Sequence, residues 1–154
     1  MKTNTLLIIF GILMFSACGT KPNKSAAKLT QEIDTYVSEI NANSNLKQEI
    51  TEGALTDMEG FKDIGTFKYT VYFDAPSNTL HKIKNVETTA QVVTEIYYFK
   101  DGDVVLMDVN SGGATTKFYV HKNKVISGVT SDAPNQKLLL EKANRFQKAF
   151  LSEH

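Results

Sequence analysis

The apolar residues of this chain keep one spacing near its two ends and another between them. Leu29, Ile33, Tyr36, Val37 and Ile40 follow at steps of four, three, one and three, which places them on one face of a helix. Ser25 stands just ahead, where its hydroxyl can cap the free N–H groups of a first turn. The closing segment KLLLEKANRFQKAFL returns to the helical spacing, with Leu138, Leu139, Ala143, Phe146 and Phe150 on a shared face. Pro134 precedes it, where a missing N–H costs little. In the middle the period becomes two: FKYTVYF puts Phe67, Tyr69, Val71 and Phe73 on one side of an extended strand. A chain patterned this way must bury its helical stripes against a sheet.

Two hairpins stand out in the middle region. In EIYYFKDGDVVLM, Asp101-Gly102 suits a two-residue type I′ turn, which needs positive φ at both central positions. FYVHKNKVI predicts a second hairpin turning at Lys122-Asn123. Aligning Tyr72, Tyr98 and Tyr119 gives steps of 26 and 21 residues, each unit being an aromatic strand, a turn and a β-branched strand. The expected fold is α+β: an N-terminal helix, an antiparallel meander of about five to seven strands, and a C-terminal helix packed on the same sheet face as the first. Residues 26–154 form one domain's worth of chain, enough to bury roughly two-thirds of the unfolded surface.

The first residues carry a different message. Leu6 to Phe15 is apolar apart from Gly11, and Ser16, Ala17 and the only cysteine, Cys18, follow at once. The run is about half the length of roughly 20 apolar residues that a membrane-spanning helix needs. With Lys2 at its positive end it reads as a secretory signal over residues 1–17. Phe15-Ser16-Ala17-Cys18 resembles the lipobox of bacterial lipoproteins, with Phe15 in place of the usual Leu. That resemblance implies cleavage before Cys18 and a thiol carrying a diacylglyceryl group, so the partner of the N-terminus is the lipid bilayer. Two or more acyl chains hold a protein to a bilayer stably, at about 0.8 kcal/mol per buried CH₂. A lone cysteine in an exported chain has no internal disulfide partner in any case. Gly19 to Ser25 (GTKPNKS) completes a tether over residues 18–25, and its seven residues span at most about 25 Å. Some Bacteroidota lipoproteins place acids just after the cysteine as a surface-export signal. Here the first acid is Glu32, and Gly19 follows the cysteine, a pattern that resembles outer-membrane sorting and implies the periplasmic face of that membrane.

Charge sets limits on partners. The 17 basic and 17 acidic residues balance, so nothing in the total points to nucleic acid. The distribution is uneven: eight acids against Lys47 and Lys62 between Glu32 and Asp63, and seven bases against Asp132 and Glu141 between Lys117 and Lys148. Two readings follow, mutual attraction of two helices that cover one sheet, or a basic C-terminal face for anionic headgroups or an acidic partner.

The hairpin at Asp101-Gly102 makes specific predictions about sheet faces. Regular pairing sets Phe99 against Val104, Tyr98 against Val105, Tyr97 against Leu106, Ile96 against Met107 and Glu95 against Asp108. One face then holds Ile96, Tyr98, Val105 and Met107 and lies under the helices. The other holds Tyr97, Phe99, Val104 and Leu106, extended by Tyr119 and Ile126 of the second hairpin. Such an apolar row on the uncovered face is a candidate binding surface for a protein, a peptide or an apolar ligand. Glu95 opposite Asp108 is the one carboxylate pair that acid/base chemistry could use, as in a hydrolase-like envelope enzyme. Other motifs carry less. Asp101-Gly102-Asp103 lacks the spaced oxygens and closing Glu of a calcium loop. His81 and His121 have no i,i+4 partner and no nearby cysteine for zinc. Ser111-Gly112-Gly113 lacks the strand–nucleophile–helix setting of a hydrolase elbow. Nothing implies a metal or a cofactor.

TEGA at Thr51 to Ala54, LHKI at Leu80 to Ile83, EIYYFKDGDVVLM and LLLEKANRFQKAF resemble phrases of small uncharacterised Bacteroidota lipoproteins, in the same order between two helices. The hairpin units are also loosely similar to MORN-type repeats, including variants described as antitoxins, though most of the glycines of those repeats are missing. The expectation is a membrane-anchored, non-enzymatic binding module, with an envelope enzyme or an immunity protein as the alternatives.

Overall fold

The computed structural model describes residues 25–128 and 133–154. Helix α1 (Ala26–Ala42) leads, strands β1 (Lys47–Thr56), β2 (Asp63–Asp74), β3 (Thr79–Thr88), β4 (Val92–Lys100), β5 (Asp103–Ser111), β6 (Ala114–His121) and β7 (Lys124–Gly128) follow, and helix α2 (Ala133–Glu153) closes the chain. The strands pair antiparallel with their sequence neighbours into one open seven-stranded sheet, the α+β meander expected from the alternation of periods. The caps and turns also form as expected. The Ser25 hydroxyl accepts from the Lys28 N–H at 3.3 Å. Asp101 and Gly102 take φ of 53° and 82°, and Lys122 and Asn123 take 49° and 60°, the positive values that two-residue hairpin turns require.

The two helices lie on opposite faces of the sheet, which corrects the expectation that they share one. The reason is in the strands. Tyr97 and Phe99 point to one side and Tyr98 to the other, and all three are buried. A sheet apolar on both faces needs two covers, and each helix has only one apolar stripe to offer. On the first side, Tyr72, Lys82, Tyr98, Leu106 and Tyr119 form a transverse row across β2 to β6. Helix α1 lies on this row, with Ile33 and Ile40 packing beside Leu46, Tyr98 and Leu106. Polar groups fix its position: Tyr119 Oη donates to Asp34 Oδ1 at 2.8 Å, Asn41 Nδ2 donates to Tyr98 Oη at 3.1 Å, and Tyr36 Oη donates to the Phe99 carbonyl.

On the second side, Leu139, Ala143 and Phe150 of α2 join Phe73, Ile83, Tyr97, Phe99, Met107 and Phe118 in the larger core cluster. Ala143 is fully buried, and its small side chain lets the helix axis approach the strands closely. Phe146 packs tilted on Tyr69 with ring centroids 4.9 Å apart. Leu138, expected on this stripe, is 58% exposed instead. Because the sheet separates them, acidic α1 and basic α2 do not meet. Lys142 of α2 finds its acids on the sheet instead.

The β4–β5 hairpin departs from regular pairing. Phe99 faces Val104 as expected, but an irregularity between Tyr98 and Phe99 shifts the register by one. Tyr98 then faces Leu106, Tyr97 faces Met107, Ile96 faces Asp108 and Glu95 faces Val109. The bulge turns Val105 and Leu106 toward α1, and Val104 and Met107 toward α2. Val104-Val105-Leu106-Met107 is apolar at every position, so either register buries apolar side chains and the pattern cannot choose between them.

Candidate functional site

Under the first half of α2, polar side chains converge on the sheet's otherwise apolar face. Asn85 and Glu87 alternate on β3, and Glu95 and Tyr97 alternate on β4, with Asn85 directly opposite Glu95. Lys142 descends on them from α2. Its Nζ lies 2.6 Å from Glu95 Oε2 and 2.8 Å from Glu87 Oε1. Tyr97 Oη donates to the same Glu95 oxygen at 3.0 Å. Asn85 Nδ2 donates to both carboxylates, at 3.2 Å to Glu95 and 2.8 Å to Glu87. Among the described residues, no buried side-chain nitrogen or oxygen is left without a partner.

The electrostatics follow from this geometry. Burial disfavours the Lys142 ammonium, but hydrogen bonds to Glu87 and Glu95 outweigh it and hold its pKa above the ordinary lysine value. Burial likewise opposes ionisation of Glu87, and hydrogen bonds from Lys142 and Asn85 overcome it, keeping the carboxyl below its ordinary value. Burial first, and then the Glu95 carboxylate, push the Tyr97 hydroxyl far above the usual phenol range. The cluster therefore holds the Lys142 ammonium charged against the Glu87 carboxylate, with Glu95 bonded to the same nitrogen. Beside it opens a cleft of about 740 Å³, with Val93, Val109, Phe118 and Leu139 as apolar walls and Glu95 and Lys142 among its lining. Leu138 and Arg145 also line it, both exposed to solvent. Apolar walls with a few convergent polar groups are the ordinary make-up of a small-molecule site.

The residues singled out from the sequence are dispersed by the fold. Tyr97, Phe99 and Val104 are buried under α2, and Leu106 is buried under α1. Tyr119 is half-buried against α1, and Ile126 is half-buried on the short strand β7. The apolar row expected to lie open is thus ordinary core, split between the two faces: Tyr97, Phe99 and Val104 are covered by α2, and Leu106 and Tyr119 by α1. Glu95 and Asp108 do not face one another either. The register shift sends Asp108 to the α1 side, opposite Lys117, where burial raises its pKa and Lys117 opposes the rise. Cys18 lies outside the described residues.

Sequence reasoning passed over Asn85, Glu87 and Lys142, although a signal was present. Lys142 is three residues after Leu139 and four before Phe146, so it falls on the flank of the apolar stripe of α2. A lysine there needs a buried acid beneath it, and Glu95, heading the apolar run EIYYF, is the candidate.

The fold and this cluster together define an open antiparallel meander between two terminal helices, with one polar centre set into its α2 side. A scan of family models, a search of curated proteins and a search of solved structures found no match to the chain. Among the described residues, no helix is long and apolar enough to cross a membrane, and no three His, Cys, Asp or Glu side chains converge as a metal cage.

Proposed function

We propose that the chain is a lipid-anchored protein of the cell envelope that binds a small ligand beside α2 and performs no chemistry on it. The cleft carries this reading. Its walls are apolar, while the polar groups at its base are already paired with one another, as in a site that positions a ligand. Lys142, held charged, is not a free amine nucleophile. Glu95 Oε2 already accepts from Lys142, Tyr97 and Asn85. The favoured occupant has an apolar body for Val93, Val109 and Phe118 and a hydrogen-bonding head for the polar base. The leader and Cys18 supply the address, and the short tether keeps the domain near the bilayer.

Two measurements test this. Metabolic labelling with a fatty-acid analogue should mark the wild type and not Cys18→Ala; equal labelling refutes the anchor. Solvent extraction and mass spectrometry of the protein isolated from envelopes should release a small molecule that Leu138→Trp, which fills the cleft mouth, no longer retains. Leu138 is exposed, so this substitution leaves the core intact. Identical extracts from the two proteins refute the cleft as the binding site.

A further inference from the structure

The other side of α2 carries a second hollow of different character. It encloses about 330 Å³ between β1–β2 and the last turns of the helix. That volume is at the lower end of the range for small-molecule sites, roughly 300–1,000 Å³. Its walls are aromatic. Phe67 and Tyr69 are two apart on β2, and Phe146 and Phe150 are four apart on α2, so each pair shares a face of its element. Two carboxylates join this lining, Glu49 from β1 and Glu153 from the end of α2, and among the described residues no lysine or arginine does.

We propose that this crevice is a binding site for a small organic ammonium ion, of the quaternary or methylated-amine class. Aromatic rings carry negative potential on their faces, and a cation within about 6 Å of a ring centroid is attracted to it. The protein's own ammonium groups use the same attraction close by: Lys47 Nζ sits 5.3 Å from the Phe73 centroid and Lys142 Nζ 5.8 Å from that of Phe146. The two acids differ in what they have left to offer. Glu49 is bridged by Lys47 at 2.9 Å and by His154 Nε2 at 3.3 Å. Glu153 has no ion pair among the described residues, so it is the carboxylate that meets the incoming charge. It lies close enough to Tyr69 to help burial push that hydroxyl up to about 12. His154 stacks on Phe150 with centroids 4.2 Å apart and closes one end of the hollow. An anion would meet two carboxylates and, among the described residues, no lysine or arginine in the lining, and an uncharged apolar body would leave Glu153 unanswered.

Choline and its uncharged carbon isostere, 3,3-dimethyl-1-butanol, make the test direct. Titration of the full chain in a sugar-headed detergent, followed calorimetrically and by amide shifts at Thr51 and Ala149, should show choline binding about three- to thirtyfold tighter than the isostere. Glu153→Gln, at an exposed position that tolerates exchange, and Phe67→Leu should each weaken choline at least about threefold and leave the isostere unchanged. Glycerophosphocholine separates the sources: affinity close to that of choline points to a lipid headgroup, and loss of binding points to a free small cation. Equal affinity for choline and the isostere overturns the proposal, as does no binding of choline at all. The result is separable from the first cleft, because Leu138→Trp does not touch this crevice.

Discussion

Replacing Lys142 by Met removes the ammonium and keeps most of the side chain's length. It leaves Glu87 and Glu95 side by side on the sheet, with Asn85 and Tyr97 as their remaining donors. Removing one partner of a fully buried ion pair costs about 3–5 kcal/mol, because the other charge stays behind unpaired. The side chains here are not fully enclosed: Glu95 is 11% exposed, Lys142 18% and Glu87 35%, so water at the cleft screens part of the repulsion. A loss of about 2–3 kcal/mol is expected, on the order of 10 °C in Tm for a domain of this size. Urea unfolding at neutral pH measures it, and a second variant apportions it. Adding Glu95→Gln to Lys142→Met removes the stranded charge and should restore more than half of the loss. The difference between wild type and Lys142→Met should also depend on pH. Glu87 is held below its ordinary value of 4.5 in the wild type, against burial, largely by the Lys142 hydrogen bond. Its contribution is present above that value and lost as pH falls through the folded pKa, so the two proteins should converge in acid. A loss under about 0.5 kcal/mol, or a double variant whose loss equals the sum of the two single ones, would refute the closed ion cluster.

Three further outcomes are expected. Gly65→Ala should destabilise by about 1–3 kcal/mol in chemical denaturation, because its Cβ would meet the Thr88 carbonyl oxygen at 2.2 Å and backbone must move; a neutral variant would mean that β2 and β3 part easily there. Tyr36→Phe should cost about 1 kcal/mol, since it removes the hydroxyl that reaches the Phe99 carbonyl and His81 Nδ1 and so ties α1 to the sheet. Met58→Ser with Phe61→Ser, at the fully exposed tip of the β1–β2 hairpin, should change stability by less than about 0.5 kcal/mol; a larger loss would show that the tip packs on something.

What the sequence determined by itself was everything carried by local period and turn chemistry. The helical spacing from Leu29 to Ile40, the alternation of Phe67 to Phe73, and Asp101-Gly102 with Lys122-Asn123 define helix, strand and hairpin. They do so because each depends on neighbours within a few residues. Tertiary structure decided the rest, starting with the side of the sheet each helix takes. A strand such as EIYYF is apolar on both faces, and nothing local says which helix covers which. The register of β4 on β5 was undecided for a related reason: Val104 to Met107 bury equally well either way, and the bulge that packing selects sends Glu95 and Asp108 to opposite sides. The Glu87–Lys142–Glu95 cluster follows from those two choices. Lys142 lies tens of residues from both acids and meets them only once α2 lies on the face that Glu95 occupies, where a charge excluded from water must find its opposite.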